Sequence, residues 1–353
     1  MKKIILDCDV MKHRNSGLYY YCLNLGNHVQ NIIEKEQLGK MMFYVPPAEA
    51  NTFHLSKSCI IEKNWHNKYF KPYLFNCDLL HAPFQTGRLI QKYNKRMKVV
   101  LTIHDLNVLH EDKPEKERSE SLARTQELIN SSDAIICISN HTKKDVLEHM
   151  NIAGKAIYVI HNGTHYIELP PDKPHAYIPR RPFVFAMGYV NRKKNFHTLL
   201  SLLCNPEIEL VVAGRLDEPD YVEMMQQEAV RTGVSDRVKI LGPVSDKDKA
   251  WYFKNSLAFA LPSVAEGFGA CVVEAMTFGK PVFLSHRTSL PEIGGDVAFY
   301  FSDFSPDHML KVFNEGIREY QKNGLSDRLR HRAEQFNWEE KALDYVNVYR
   351  TLL

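Results

Sequence analysis

Strand-length apolar runs recur along both halves of the chain, and nothing constrains its fold more. In the first half they are IILDCD (4–9), MMFYV (41–45), DLLHA (78–82), KVVLTIHD (98–105), AIICIS (134–139) and IYVIHNG (157–163). In the second half FVFAMG (183–188), IELVVAG (208–214), VKILG (238–242), LAFALP (257–262), PVFLS (281–285) and VAFYF (297–301) repeat the rhythm. Runs that are continuous rather than alternating suit strands buried on both faces, the habit of parallel sheets. Helix-patterned segments separate many of them: before Ser131, after Ser139, and at about 195–203, 219–232, 246–254 and 306–322. Ser139 or Asn140 can cap the helix that follows it, with Gly154 beyond its end, and Gly233 ends another. This alternation predicts a doubly wound parallel sheet in each half. Between the halves, ELPPDKPHAYIPRRP (168–182) carries five prolines, a stiff extended connector.

A chain of 353 residues has room for two such domains, each with its own core. The hydrophobic fraction of 44% and charged fraction of 25% place it among globular proteins. A net charge of +3 is too mild to imply a nucleic-acid partner. The seven cysteines (8, 22, 59, 77, 137, 204, 271) are scattered and never in CxxC spacing, so neither a disulfide framework nor a cysteine zinc site is expected. A reducing compartment fits that usage. The opening MKKIILDCDV is a first strand rather than a signal peptide, because Asp7 and Asp9 interrupt its apolar run. No stretch approaches the length of a membrane-spanning helix. The expected location is therefore cytoplasmic. No GxGxxG follows any strand, which disfavours a dinucleotide dehydrogenase.

The stretch PSVAEGFGACVVEAMTFGKP (262–281) carries most of the chemistry. It follows the strand run 257–262 with a loop containing Gly267 and Gly269, then a helix-forming run from about Ala270 to Phe278 stopped by Gly279 and Pro281. Glycines between a strand end and a helix start let backbone N–H groups approach a phosphate. Glu266 and Glu274 bracket the turn. Eight helical residues rise about 12 Å, more than the roughly 5–9.5 Å between the paired carboxylates of a glycoside hydrolase. The spacing suits an elongated ligand held at both ends with a phosphate bridge between, the shape of a nucleotide-sugar.

Glu266 and Glu274 within EGFGACVVEAM resemble the E-x7-E signature of the retaining glycosyltransferases of family 4, and PVFLSHRTSLPEIGGDVAFYF (281–301) is similar to that family's downstream block. The resemblance implies the GT-B fold: two Rossmann-like doubly wound domains facing a cleft, at 1–167 and 183–337. The amphipathic run FNWEEKALDYVNVYRTLL (336–353) resembles the terminal helix that crosses back to the first domain, here 338–353. The resemblance further implies that Glu266 faces the donor sugar, that Glu274 bonds the ribose hydroxyls, and that Phe268, Gly269 and Ala270, after Gly267, offer backbone amides to the β-phosphate. Lys194, in GYVNRKKNFHTLL (188–200), resembles the lysine below the diphosphate, and Arg215 in VVAGRLD its cationic neighbour. Tyr189 departs from the pattern, since many members carry arginine there, and Arg192 or Lys193 could compensate. His104 and Asp105 end the run 98–105 as a similar His-Asp does in the family, the histidine contacting the sugar and the aspartate able to orient it. Gly17, beside Ser16, resembles a glycine-rich loop near the diphosphate and equally suits a helix start. His81 at a strand end is an acceptor-side candidate.

The expected activity is therefore transfer of a hexose from a GDP- or UDP-linked sugar to a saccharide or lipid-linked acceptor, with retention, no cofactor and no metal. Mannose is the first choice, because the HDL and SLPEIGGD blocks look like bacterial O-antigen and capsule mannosyltransferases; glucose, galactose and N-acetylhexosamine donors stay open. The alternatives are a nucleotide-sugar epimerase of the same fold and a silent nucleotide-sugar-binding subunit. Residues 63–98 hold Lys63, Lys68, Lys71, Arg88, Lys92, Lys95, Arg96 and Lys98 against Asp78 alone, interleaved with Trp65, Tyr69, Phe70, Tyr73, Phe75 and Phe84. Such a segment can seat an enzyme peripherally on an anionic membrane, although a solvated basic face over aromatic core is the commoner outcome.

Overall fold

The computed structural model describes residues 2–14, 16–53, 59–64, 71–90, 96–164 and 173–353. The chain divides into two compact units, 1–163 with 336–353, and 164–335. The proline-rich connector lies partly outside the described residues, at 168–172.

In the first unit, β1 (Lys3–Asp7), β2 (Lys40–Val45), β3 (Ile60–Glu62), β4 (Leu79–Ala82), β5 (Lys98–Ile103), β6 (Ala134–Cys137) and β7 (Ala156–Val159) form, among the described residues, one parallel sheet. Its order is β3-β2-β1-β4-β5-β6-β7, so strand order reverses between β1 and β4. The edge strand β3 is the one that no apolar run announced. Among the described residues three α-helices connect strands: α1 (Gly17–Lys35), α2 (Glu115–Asn130) and α3 (Asn140–His149). Ser16 caps α1 by accepting the Tyr19 N–H, and Ser139 caps α3 by accepting that of Thr142.

The second unit repeats the plan with β8 (Phe183–Met187), β9 (Glu209–Ala213), β10 (Val238–Ile240), β11 (Ala258–Leu261), β12 (Val282–Ser285) and β13 (Phe299–Phe301). The order β10-β9-β8-β11-β12-β13 is again all parallel and reverses between β8 and β11. Its helices are α4 (Pro219–Arg231), α5 (Asp246–Asn255), α6 (Ala270–Thr277), α7 (Leu290–Gly294), α8 (Pro306–Asn323) and α9 (Ser326–Glu334). The expected helix at 195–203 forms as a 3-10 helix, Phe196–Cys204. It follows Asn195, whose left-handed backbone (φ 58°) breaks the chain away from the preceding turn.

The last helix, α10 (Trp338–Leu352), packs into the core of the first unit, as the amphipathic run implied. Asn337 caps it, and Trp338, Ala342, Tyr345, Val346 and Tyr349 are buried with Tyr21, Leu25, Val29 and Ile33 of α1. The Tyr21 and Tyr345 hydroxyls meet at 2.7 Å. Truncating a buried aromatic of this kind costs about 3–5 kcal/mol, so α10 is part of what holds this unit together. Among the described residues no helix is long and apolar enough to cross a membrane.

Candidate active site

In open α/β sheets ligands collect outside the carboxyl ends of the strands where the order reverses. In the second unit that point lies between β8 and β11, and the segments leaving these two strands carry Lys194 and Glu266. The chain passes Gly188 at φ +149° directly after β8 and Gly214 at φ +138° directly after β9. A Cβ on Gly214 would stand 1.9 Å from the Gly188 carbonyl oxygen, so only glycine permits this approach. A Cβ on Gly188 would fall 2.9 Å from Lys194 Cε: the lysine side chain runs across the glycine. Asn191 accepts the Lys194 N–H at 3.2 Å, fixing the short 3-10 turn Arg192–Lys194.

Lys194 Nζ donates to Glu266 Oε1 in a tight ion pair, with only 13% and 10% of the two side chains exposed. Burial alone would raise the Glu266 carboxyl, but Lys194 and then Lys193 outweigh it and hold the group below the usual carboxylate range. Glu266 is thus an anion and Lys194 its counterion. The backbone of Glu266 is clamped on both sides by the 281–301 block: its N–H donates to Thr288 Oγ1 at 2.9 Å, and its carbonyl accepts from Ser289 Oγ at 2.8 Å. Thr288 itself sits at φ +50°, a strained conformation for a β-branched residue. Sequence reading placed neither residue at the site.

Gly267 and Phe268 are buried behind Glu266, and Gly269 (φ +90°) turns the chain into α6 with Ala270 exposed at its first position. The first-turn amides of a helix lack intrahelical acceptors and lie at the positive end of its dipole, a ready anion seat. Glu274, one turn along, accepts from Lys249 Nζ of α5 on Oε1 at 2.9 Å. Lys249 also lies 3.3 Å from Asp246, and although burial pulls its ammonium down, the Glu274 and Asp246 carboxylates hold it well above its ordinary value. Lys249 was not singled out in the sequence; a lysine alternating with aspartates in SDKDK reads as a solvated helix start.

Arg215 is exposed, 3.7 Å from Asp217, with its guanidinium 5.6 Å over the Tyr189 ring. The tyrosine that departs from the family pattern therefore supports the neighbouring arginine through a cation–π contact. Arg192 is drawn away toward α4, to Asp220 at 2.5 Å and Glu218 at 3.6 Å. Of the two residues expected to compensate, Lys193 is the one whose charge acts on Glu266.

In the first unit the β1–β4 reversal carries a different set. His104, 7% exposed, points Nε2 at the Pro83 carbonyl at 2.8 Å. A carbonyl only accepts, so Nε2 holds the proton and Nδ1 the lone pair. Burial lowers its pKa to about 4 against the opposing Pro83 bond, leaving the ring neutral near pH 7. Pro83 orients this ring; Asp105, expected to do so, accepts the Asn107 N–H at 3.1 Å. His81 requires a correction. It is fully buried, with Nδ1 2.6 Å from the Tyr349 hydroxyl of α10 and Nε2 2.8 Å from Thr102 Oγ1, and burial pushes its pKa to about 3. It anchors α10 rather than lining an acceptor surface. Gly17 is the first residue of α1, and a Cβ there would meet no atom within 4 Å, so packing does not require the glycine.

Asp7 and Asp9, which closed the first apolar run, are buried at the end of β1. Burial, reinforced by Asp9, lifts the Asp7 carboxyl to about 7 against its backbone bond. Asp9 binds Lys63 at 2.6 Å and Arg88 at 2.8 Å. Lys98 pairs with Asp133 at 3.0 Å, and Tyr73 stacks on Tyr44. Several basic residues of the 63–98 segment are thus paired with acids from outside it, while Phe75 is exposed. Trp65, Lys68, Tyr69, Phe70, Lys92 and Lys95 lie outside the described residues.

Two all-parallel sheets, the second with a buried lysine–carboxylate pair and a glycine-turned helix start at its reversal point, define a GT-B glycosyltransferase. The family models agree: residues 172–336 match "Glycosyl transferases group 1" and residues 55–166 match "Glycosyltransferase Family 4". The chain belongs to the GT-B glycosyltransferases of family 4. It is 25% identical over 320 residues to O-antigen chain mannosyltransferase B of Escherichia coli, covering 82% of this chain and 77% of that protein. In fold it is similar to Anabaena HepE, solved with UDP and glucose, with a TM-score of 0.77 and 18% identity over 99% of this chain and 100% of that one. It is likewise similar to sucrose-phosphate synthase from Thermosynechococcus elongatus, with a TM-score of 0.75 and 20% identity over 100% and 99% of the two chains.

Proposed function

We propose that this glycosyltransferase transfers a hexose, mannose first, from a nucleoside diphosphate sugar to a saccharide or lipid-linked saccharide with retention of anomeric configuration, in cell-surface polysaccharide synthesis. The observation that carries the reading is the buried Lys194–Glu266 pair at the β8–β11 reversal, beside the α6 N-terminus. On donor arrival Lys194 exchanges its carboxylate partner for the diphosphate, and Glu266 turns to a sugar hydroxyl. As the glycosyl bond breaks, charge grows on the β-phosphate. Lys194 and the amides of Gly269 and Ala270 then act more strongly on the transition state than on the ground state. Glu274, steadied by Lys249, takes the ribose hydroxyls, because a carboxylate accepts from two neighbouring hydroxyls at once.

Arg215 adds a second cation, so the leaving diphosphate is neutralised by side chains and needs no metal ion. The first unit is assigned the acceptor, with His104 Nδ1 offering its lone pair to a sugar hydroxyl. Attack is from the front face, with the leaving phosphate taking the acceptor's proton. Mannose is supported by the E. coli relative's activity, and a peripheral membrane location by the basic and aromatic residues of 63–98. The test is turnover of GDP-mannose, UDP-glucose, UDP-galactose and UDP-N-acetylglucosamine, each with and without a lipid-linked saccharide and with and without chelator. Acceptor-dependent, chelator-resistant release of GDP with an α-linked product is expected. An epimerised donor, acceptor-independent free sugar, or an inverted linkage would overturn the proposal.

A further inference from the structure

One cluster in the first unit belongs to none of this chemistry. His141 and Asp145 stand one turn apart on α3, and His110 follows the 3-10 turn Asn107–Leu109 after β5. His110 Nε2 lies 2.7 Å from Asp145 Oδ2, His141 Nε2 lies 3.4 Å from the same oxygen, and the two ring nitrogens are 3.3 Å apart. We propose that His110, His141 and Asp145 bind a divalent cation of the zinc class. A tetrahedral ion with bonds of about 2.0–2.2 Å places its ligand atoms about 3.3–3.5 Å apart. Two edges of this triangle already have that length, and the third, at 2.7 Å, opens by about 0.6–0.8 Å when an ion replaces the hydrogen-bonded proton. Residues i and i+4 on one helix face are a recurring way to supply two such ligands.

The donor chemistry narrows the ion. Two imidazoles and one carboxylate suit zinc, cobalt, nickel or copper, whereas magnesium and calcium prefer oxygen throughout. Asp145 is 4% exposed, so its position is fixed by the fold. The two imidazoles are partly open to solvent, at 29% and 23%, which leaves a fourth place for water. The surroundings are negative: the Asp145 bond above all, with Asp105 and Glu111, draws the His110 ring above its ordinary range despite burial. Without an ion the arrangement accommodates one protonated ring beside Asp145 but not two, since both would face each other at 3.3 Å. The ion would also act on the functional segment. Thr142, between the two α3 ligands, donates to the His104 carbonyl at 3.1 Å. A cation bridging His110 to α3 would therefore fasten the 104–110 segment that carries His104.

The experiment uses the full chain stripped with chelator, titrated with Zn2+ by calorimetry and with Co2+ by visible absorption, in wild type, His141→Gln, His110→Gln and Asp145→Asn. One equivalent of each metal is expected, with the intense visible bands of four-coordinate Co2+, and each substitution should weaken binding at least tenfold. Affinity should fall as pH is lowered from 7 to 5.5, because protons compete for the imidazoles. Alkylation of the exposed Cys204 should leave the equivalent unchanged. Far-UV circular dichroism in chelator checks that each variant is folded, and His141→Gln, at a partly exposed position on α3, decides the matter if the buried Asp145→Asn is not. Failure of both metals to bind, or an equivalent that survives the substitutions, would overturn the proposal.

Discussion

Replacing Lys194 by alanine separates the electrostatic account of the second unit from a merely structural one. Glu266 is 8% exposed, and its carboxylate is held ionised by a lysine that is also buried. Breaking a buried pair from one side costs about 3–5 kcal/mol, because the remaining charge has no partner. The carboxyl can escape that penalty by taking a proton. For a glutamate of ordinary pKa, about 4.3, protonation at pH 7 costs about 3.7 kcal/mol, and at pH 5 about 1 kcal/mol. The destabilisation is therefore capped near 3.7 kcal/mol at pH 7 and shrinks toward 1 kcal/mol at pH 5.

The sign follows from linkage. In the wild type the carboxyl is held low, so its contribution is complete above the unfolded pKa and is lost only as pH falls through the folded one. In the variant burial acts with only Lys193 and Ser263 left to oppose it, so stability declines as pH rises. For a unit of this size about 2–4 °C per kcal/mol applies. Scanning calorimetry should then show the second-unit transition lowered by about 7–15 °C at pH 7 and by about 2–4 °C at pH 5. Lys194→Met with Glu266→Gln should recover most of the loss, since two neutral side chains replace the two ions, while transfer stays abolished. An equal loss at both pH values, or no recovery in the double variant, would refute the reasoning.

Three further outcomes follow from the same structure. Lys249→Met should weaken GDP or UDP binding by about 10–100-fold in calorimetry, the worth of one charge-assisted hydrogen bond steadying Glu274; combining it with Glu274→Gln should add little. Gly188→Ala should depress transfer and stability together, because its Cβ, strained at φ +149°, would displace Lys194 Cε from 2.9 Å away and disturb the pair with Glu266; unchanged transfer would count against that path for the lysine. The first unit should lose stability as pH falls from about 6.5 toward 4, since His81 and His104 stay neutral when folded and charge when unfolded. A melting temperature flat between pH 7 and pH 5, or unaltered in its slope by His81→Gln, would contradict this.

The strands were legible because parallel strands buried on both faces leave continuous apolar runs, and each such run lies on a strand of one of the two sheets. β3 escaped because Ile60–Glu62 is too short to register as a run, and α9 because SDRLRHRAE buries only Leu329 and Ala333. The glycine-turned helix start and its two glutamates could be read because backbone conformation dictates residue type there. What could not be read were partnerships across the fold. Lys249 reaches a carboxylate 25 residues away, Thr288 takes an amide 22 residues away, and His81 meets a tyrosine 268 residues on. His81 misled for that reason: a histidine near a strand end looks the same in the sequence whether an open surface or a terminal helix covers it. Asp7 and Asp9 did leave a signal, as two acids closing an apolar strand.

The most direct test of the donor site is a crystal structure of the chain with GDP. The β-phosphate should lie within hydrogen-bonding reach of Lys194 Nζ and the Gly269 and Ala270 amides, with the ribose on Glu274 and the Lys194–Glu266 pair parted. A nucleotide bound away from the ends of β8 and β11, or an ion pair left intact beneath it, would contradict the account.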